Sequence, residues 1–411
     1  MKPVCSRRNF LTAGLVLPAA GLRRPSTTMP LLLGEEQGKP ESVKLVYRTL
    51  GKTGLKVTSL AFGCMTTSDP SVIERAADLG INHFDTARSY QNGNNERMVG
   101  AALKTVRKKV ILSSKSGSKT KQEVLADLDT SLRELGTDYL DLWYLHSKSE
   151  PEQVSEDLLE AQRIAKKEGK IRFAGVSMHF NMDKMLVHLS KLGQTDVVLT
   201  TYNFAMRSVD ADMNTNPDAP KTDMTEAIRA ARKAGLGIVA MKVMAGGTSR
   251  VERGDRLYGA NPKVLGKRLS QPGVPVAAIK WALKNESVDT AIVCMTNHDQ
   301  FDENVRAMAE AYTEKDEQVL SSQLAYISPK YCRMCGSCGG SCERGVPVPD
   351  MLRFLTYVEG YGEFALARER FLELPENLRK IRCGDCAACS LKCAYAVAVR
   401  DRLIHVQGML A

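Results

Sequence analysis

The chain has 411 residues, 43% of them apolar and 25% charged, a globular balance that excludes fibrous and disordered architectures and is long enough for a large barrel plus a small appended module. Its net charge of +10 is spread thinly: residues 1–43 hold six Lys/Arg against three Asp/Glu, residues 326–411 hold twelve against nine, and no basic stripe with interleaved aromatics marks a nucleic-acid surface. No apolar run approaches the roughly 18 residues that a membrane-spanning helix needs.

In chain order, Ser6-Arg7-Arg8-Asn9-Phe10-Leu11 comes first, ahead of the mostly apolar stretch Leu11–Leu22. A pair of arginines before a short hydrophobic segment resembles a twin-arginine export signal, a route for proteins already folded around their cofactors. The resemblance implies a periplasmic or otherwise exported protein, the export machinery as a partner, and membrane contact only through this segment. A basic tail on a cytoplasmic protein is the alternative. Residues 23–43 mix Pro, Ser, Thr and Gly with charges, so 1–43 read as signal and linker.

From about Val46 to Tyr312, short β-branched runs alternate with amphipathic stretches. The predicted strands are Ser59–Gly63, Asn82–Asp85, Lys109–Ser114, Tyr139–Leu145, Ile171–Ser177, Thr195–Leu199, Gly237–Met241 and Asp289–Val293. Helix-period segments lie at 71–79, 95–106, 121–135, 155–168, 181–191, 222–234, 275–285 and 298–311. Short, nearly continuous apolar strands separated by helices argue for a parallel sheet covered on its outside, and eight such units fit a closed (β/α)8 barrel over residues 44–325. An open doubly wound sheet is the alternative, but the turn Phe62-Gly63-Cys64-Met65-Thr66 lacks that fold's glycine-rich phosphate loop.

Chemistry in such barrels sits at the carboxyl ends of the strands. Asp85 and Tyr90 follow the second predicted strand, Lys115 ends the third and His146 ends the fourth. Singly, each has an ordinary explanation: a helix cap, interface packing, a solvated end, a core histidine. Their convergence on one mouth is harder to dismiss.

The segments Tyr47-Arg48-Thr49-Leu50-Gly51-Lys52-Thr53-Gly54-Leu55, Phe84-Asp85-Thr86-Ala87-Arg88-Ser89-Tyr90, Asn95-Glu96-Arg97, Ser114-Lys115, Asp138-Tyr139-Leu140-Asp141-Leu142 leading to Leu145-His146, and Gly175-Val176-Ser177 resemble the aldo-keto reductase family, in order and over roughly residues 46–312. The resemblance implies a catalytic tetrad of Asp85, Tyr90, Lys115 and His146 acting on a small carbonyl or alcohol substrate. Hydride addition builds negative charge on the carbonyl oxygen, which calls for a positioned acid and an electrophilic cradle. Tyr90 is the implied proton donor, Lys115 the ammonium that lowers its pKa, Asp85 the anchor of Lys115, and His146 the hydrogen-bond donor to substrate. The resemblance also implies NAD(P), held by Ser177, Lys242, Glu303 and Asn304. Several family contacts differ: Met178 and Leu199 replace the usual Asn and Gln, Met241-Lys242 replaces the stacking Tyr, and Cys294, Met295 and Gln300 stand where 2′-phosphate ligands usually do. NADP, NAD and loss of the dinucleotide all stay open.

Eight of the eleven cysteines crowd into the region 326–411. Cys332, Cys335, Cys338 and Cys342 follow C-x2-C-x2-C-x3-C, and Cys383, Cys386, Cys389 and Cys393 repeat it. The two runs resemble those of two-cluster ferredoxins, the helical-looking Pro349–Leu374 between them suiting the helical kind. That resemblance implies one [4Fe–4S] cluster on Cys332, Cys335, Cys338 and Cys393, and a second on Cys383, Cys386, Cys389 and Cys342. Zinc is the alternative, although its sites normally use close pairs. The whole then reads as an exported oxidoreductase whose redox partner is a protein or carrier. The competing class is an electron-transfer or docking protein whose barrel is only a scaffold.

Overall fold

The computed structural model describes residues 43–207, 223–245, 271–327 and 330–411; Arg7, Arg8 and nearly all of the expected signal and linker lie outside the described residues. A hairpin opens the described chain, β1 (Tyr47–Thr49) pairing antiparallel with β2 (Lys56–Thr58). Eight strands then follow, each within two residues of its predicted bounds: β3 (Leu60–Gly63), β4 (His83–Asp85), β5 (Ile111–Ser116), β6 (Leu140–Leu145), β7 (Ile171–Met178), β8 (Val197–Thr201), β9 (Gly237–Met241) and β10 (Thr290–Cys294). They close as a parallel barrel in the order β10-β3-β4-β5-β6-β7-β8-β9. The open-sheet alternative is thereby excluded.

The outer ring comprises α1 (Pro70–Leu79), α2 (Asn94–Leu103), α3 (Lys121–Leu135), α4 (Glu156–Lys167), α5 (Met182–Leu192), α6 (Thr225–Lys233), α7 (Val274–Lys284) and α8 (His298–Val305). Local chemistry sets their ends. Asp69 caps α1, its carboxylate accepting from Ser71 N at 2.9 Å, and Pro70 supplies the preset first-turn φ. Thr120 and Glu123 form a reciprocal capping box on α3, which Gly136 ends in the left-handed conformation.

The strand period of two divides the barrel into an inside and an outside. Leu60, Phe62, Phe84, Leu112, Val176 and Val198 pack outward under the helices. Ala61, Ile111, Leu142, Tyr144, Val197 and Val239 fill the interior. The hairpin seals the amino-terminal end. Gly51 sits at φ +49°, donates its N–H to Asp289 Oδ2 at 3.0 Å, and lies so close to β9 that a Cβ there would stand 2.3 Å from Gly237 N. Only glycine fits both demands.

Beyond the barrel, α9 (Glu314–Ile327) packs on α7 through Leu320, Leu324 and Ala278. Helices α10 (Val348–Glu359), α11 (Phe364–Leu372), α12 (Glu376–Arg379) and α13 (Val399–Leu410) gather around their own core of Val348, Leu355, Phe371, Leu403 and Val406. This carboxyl-terminal region lies against the carboxyl-end loops of the barrel. Asn203 Nδ2 donates to Tyr331 Oη at 3.0 Å, Arg333 Nε to Ala205 O at 2.9 Å, and Arg370 Nη2 to Ser89 O at 3.0 Å. Gly336, at φ +79°, passes so near the loop after β7 that a Cβ there would meet Asn181 Oδ1 at 1.8 Å.

Candidate active site

The expected tetrad assembles inside the barrel mouth because alternate residues of neighbouring strands share a face. Register pairs Asp85 with Ser113 and Lys115 with Tyr144, so successive inward positions of β4, β5 and β6 climb toward the mouth. Lys115 is 1% exposed and Asp85 4%. Such burial requires partners for both charges. Lys115 Nζ donates to Asp85 Oδ2, to Thr86 O at 2.6 Å and to Tyr90 Oη at 3.5 Å. Asp85 Oδ1 accepts from Ser113 Oγ at 2.6 Å. The Tyr90 and His146 rings stand edge to face, 6.0 Å between centroids.

The loop that carries Tyr90 is held by Asn95-Glu96. Thr86 Oγ1 donates to Asn95 Oδ1 at 2.6 Å, and Asn95 Nδ2 donates to Cys64 O at 2.7 Å. Glu96 is fully buried, pairs with Arg88, and accepts from Ser114 Oγ at 2.6 Å. This buried carboxylate ties β5 to the loop two residues before Tyr90.

Burial dominates the electrostatics of the four residues. Burial pushes the Tyr90 phenol well above its ordinary value and the Asp85 charge adds to this, while Arg370 pulls it down. Lys115, paired with Asp85, donates to the phenol oxygen and so favours the phenolate, but burial outweighs it. Tyr90 is therefore a fully protonated phenol at neutral pH. Burial likewise holds His146 well below the ordinary imidazole range, reinforced by Lys115, Arg370 and Arg353. A neutral imidazole there has an N–H to offer a substrate oxygen.

Asp85, Tyr90 and His146 open onto a cavity of about 680 Å³. One wall is barrel, with His179, Lys242 and Cys294; the opposite wall is α10 and α11, with Arg353, Tyr357 and Arg370. The sequence matches the aldo/keto reductase family over residues 67–322. The chain belongs to that family.

Among its relatives, L-galactose dehydrogenase of Arabidopsis thaliana is 25% identical over 323 residues, spanning 70% of this chain and 95% of that one. L-glyceraldehyde 3-phosphate reductase of Escherichia coli (strain K12) is 26% identical over 318 residues, spanning 64% and 88%. The holo form of an aldo-keto reductase from Bacillus halodurans superposes with a TM-score of 0.53 at 24% identity, over 68% of this chain and 96% of that one, a likeness of fold. This aldo/keto reductase is thus an oxidoreductase-type (β/α)8 barrel with a helical region after it.

Of the four residues expected to hold the dinucleotide, Lys242 alone lines the cavity. Ser177 is buried beside it and serves the backbone, its Oγ accepting from Ser147 N at 2.9 Å, where Ser147 takes the strained φ of +55°. Glu303 and Asn304 sit on α8, away from the cavity lining; Glu303 Oε1 caps Gly273 N at 3.1 Å and Asn304 is 3% exposed. Sequence reasoning missed Arg353, Tyr357 and Arg370. The available signal was Arg353 and Tyr357 four residues apart in a helix that is otherwise apolar, Thr356 excepted, from Met351 to Val358.

The family match ends before the first cysteine run. In space the eight cysteines fall into two sets that mix the runs. Burial pushes the Cys332 thiol up to about 12, the Met334 amide opposes, and the neighbouring Cys338, Cys335 and Cys393 add to the rise. Cys383 is raised by burial and then by Cys342, Cys386 and Cys389. The amides of Met334 and Tyr395 each donate to a cysteine sulfur two residues back, Cys332 and Cys393, at 3.4 Å. Among the described residues no three His, Cys, Asp or Glu side chains converge on a single-ion site.

The barrel interior also makes stability depend on pH. His83 is fully buried with Nε2 3.3 Å from Ser113 Oγ; burial lowers it to about 4, against the pull of Asp85 and Asp141 and with Lys115 assisting. An unfolded histidine takes up a proton near pH 6.5. The folded state refuses that proton, so this contribution is full above about pH 6.5 and is lost as the pH falls toward 4. Between pH 7 and 5 the parent should lose about 2 kcal/mol more stability than His83→Gln, measured by urea unfolding. Equal losses would show that His83 is not the buried neutral group responsible.

Proposed function

We propose that this aldo/keto reductase interconverts a small carbonyl and its alcohol by hydride transfer, with Tyr90 as the general acid. The observation that carries the reading is the buried Asp85–Lys115 pair beside Tyr90, facing His146 across a cavity mouth. In the reducing direction His146 N–H and Tyr90 O–H hold the carbonyl oxygen, and Tyr90 gives up its proton as charge builds there. Lys115, anchored by Asp85, stabilises the phenolate left behind. In the oxidising direction the same groups run in reverse. A nicotinamide dinucleotide, when bound, supplies or accepts the hydride. The tetrad and its cavity suit the nicotinamide end, and Lys242 is the expected contact that lines the same cavity, while Ser177, Glu303 and Asn304 lie outside its lining.

The carboxyl-terminal region is proposed to hold two [4Fe–4S] clusters. The spatial mixing of the runs supports the crossed assignment, with Cys332, Cys335, Cys338 and Cys393 on one and Cys383, Cys386, Cys389 and Cys342 on the other. A cubane takes each thiolate on a separate iron, so it does not require the convergence of a single-ion site. Amide donors to two of the sulfurs are the outer-shell contacts that stabilise a thiolate. Such clusters, when present, carry single electrons to a redox partner protein or carrier. Linking them to a two-electron hydride step requires an intermediary such as a flavin. Loading with clusters before transport suits the twin-arginine route proposed from Arg7 and Arg8.

Three experiments test these proposals. Tyr90→Phe should reduce carbonyl turnover by about 10²–10⁴-fold with dinucleotide affinity nearly kept, since it removes an interaction made at the transition state. Parent-like turnover, with chemistry limiting, would refute Tyr90 as the acid. Purified protein should contain about eight irons and eight acid-labile sulfides per chain, and Cys393→Ser should perturb the cluster of the first run. Stoichiometric zinc without sulfide refutes the clusters, and loss confined to the second-run cluster refutes the crossing. Changing Arg7 and Arg8 together to Lys should retain folded protein in the cytoplasm; unchanged fractionation would refute export by this route.

A further inference from the structure

The corner of the cavity between β9 and α10 is cationic, and its charges are not all matched. Lys242 follows β9 at φ +57°, a left-handed backbone that a non-glycine residue holds only under constraint. Its Nζ is buried, meets the Tyr357 side chain 5.3 Å from the ring centroid, and has no further hydrogen-bond partner among the described residues. Among the described residues no carboxylate lies within ion-pair range of it. Arg353 reaches the same cavity from α10. Asp350 fixes one end of its guanidinium at 2.8 Å, while Nε stays buried and unpartnered. His179, 6% exposed, faces the cavity with Nδ1 also unpartnered. Arg370 differs, since Glu373 at 2.6 Å and Ser89 O at 3.0 Å already occupy it.

Buried polar atoms normally find partners, and three unmet ones on one cavity call for a ligand. The two cationic groups and the imidazole together suit an anion. Burial works to raise the Tyr357 phenol, yet the charges of Lys242, Arg353 and Arg370 hold it below its ordinary value, which shows how positive this corner is. The His146 and His179 rings, 6.5 Å apart, lead from the tetrad to this corner.

We infer that the substrate carries an anionic group, a carboxylate in the simplest case, which binds Lys242 and the free edge of Arg353 while its carbonyl or alcohol oxygen lies against Tyr90 and His146. The inference rests on the proposed carbonyl chemistry for the second half of that sentence and on the unmet cations for the first. It gives the carboxyl-terminal region a direct part in substrate choice, because Arg353 and Tyr357 belong to α10 and not to the barrel. The same chemistry would suit a phosphate of the dinucleotide, and the test separates the two sources.

The probes are 4-carboxybenzaldehyde and its neutral methyl ester, methyl 4-formylbenzoate, with the full-length protein. Isothermal titration should show tighter binding of the acid than of the ester. Lys242→Met should reduce that preference by about 10–100-fold, the range for a lost hydrogen bond between charged groups. Arg353→Met should reduce it too, and Lys242→Arg should restore much of it. In turnover the loss should appear in KM for the acid more than in kcat. Equal binding of acid and ester by the parent overturns the inference. So does a Lys242→Met variant that weakens NADH and NADPH binding while leaving the acid-to-ester ratio intact, because the cation then serves the dinucleotide. If Tyr90→Phe keeps full turnover, the catalytic reading falls alone, and the titration still decides the anion site.

Discussion

An ammonium group 1% exposed inside a barrel is the constraint around which the rest of the site is arranged. Unpaired, Lys115 would lose its proton or unfold its surroundings, since a buried isolated charge costs many kcal/mol. Asp85 removes most of that cost, Ser113 occupies the second carboxylate oxygen, and Thr86 O takes another ammonium proton. Each partner is supplied by strand register. From within that pair Lys115 also reaches the Tyr90 oxygen, at 3.5 Å. Burial nonetheless keeps Tyr90 a neutral phenol in the resting site.

That interplay explains where reading the sequence succeeded and where it did not. The eight barrel strands were legible because a strand covered on both faces must be apolar almost without interruption, and few other elements write that pattern. β5 was placed two residues early, as Lys109–Ser114 instead of Ile111–Ser116, because a lysine normally marks solvent and Lys115 was read as the strand's end. Its paired carboxylate is 30 positions away in sequence and leaves no local mark. Asp85, Tyr90, Lys115 and His146 do come together. Glu303 and Asn304 lie on α8, outside the cavity lining.

The roof of the cavity was the least legible part. Between the cysteine runs, Pro349–Leu374 carries an ordinary helical signature, and a helix that packs by its apolar stripe says nothing about what its one arginine reaches. Arg353 meets the barrel only because the region after residue 330 folds back over the mouth. Small contacts fix that return: Tyr331 on Asn203, Arg333 on Ala205 O, and the Gly336 turn against Asn181. All three lie in or beside the first cysteine run. The run therefore orders its own sulfurs and also anchors the helices that follow.

The physical consequence is a coupling between the two halves of the chain that needs no electron to pass. Arg370 of α11 donates to Ser89 O, the peptide immediately before Tyr90, and its charge is the one that pulls the Tyr90 pKa down against burial and Asp85. Loss of order in the cysteine region would remove that cation and admit water to the mouth, relieving burial at the same time. These two changes oppose each other at Tyr90, so the phenol can stay protonated through such a change. The corner formed by Lys242, Arg353 and Tyr357 has no such compensation: one of its two cations and its ring come from α10. Disorder in the tail should therefore fall first on what the cavity can hold and only second on its acid. The barrel carries Asp85, Tyr90 and His146, and the region that follows it brings Arg353, Tyr357 and Arg370 to the same cavity.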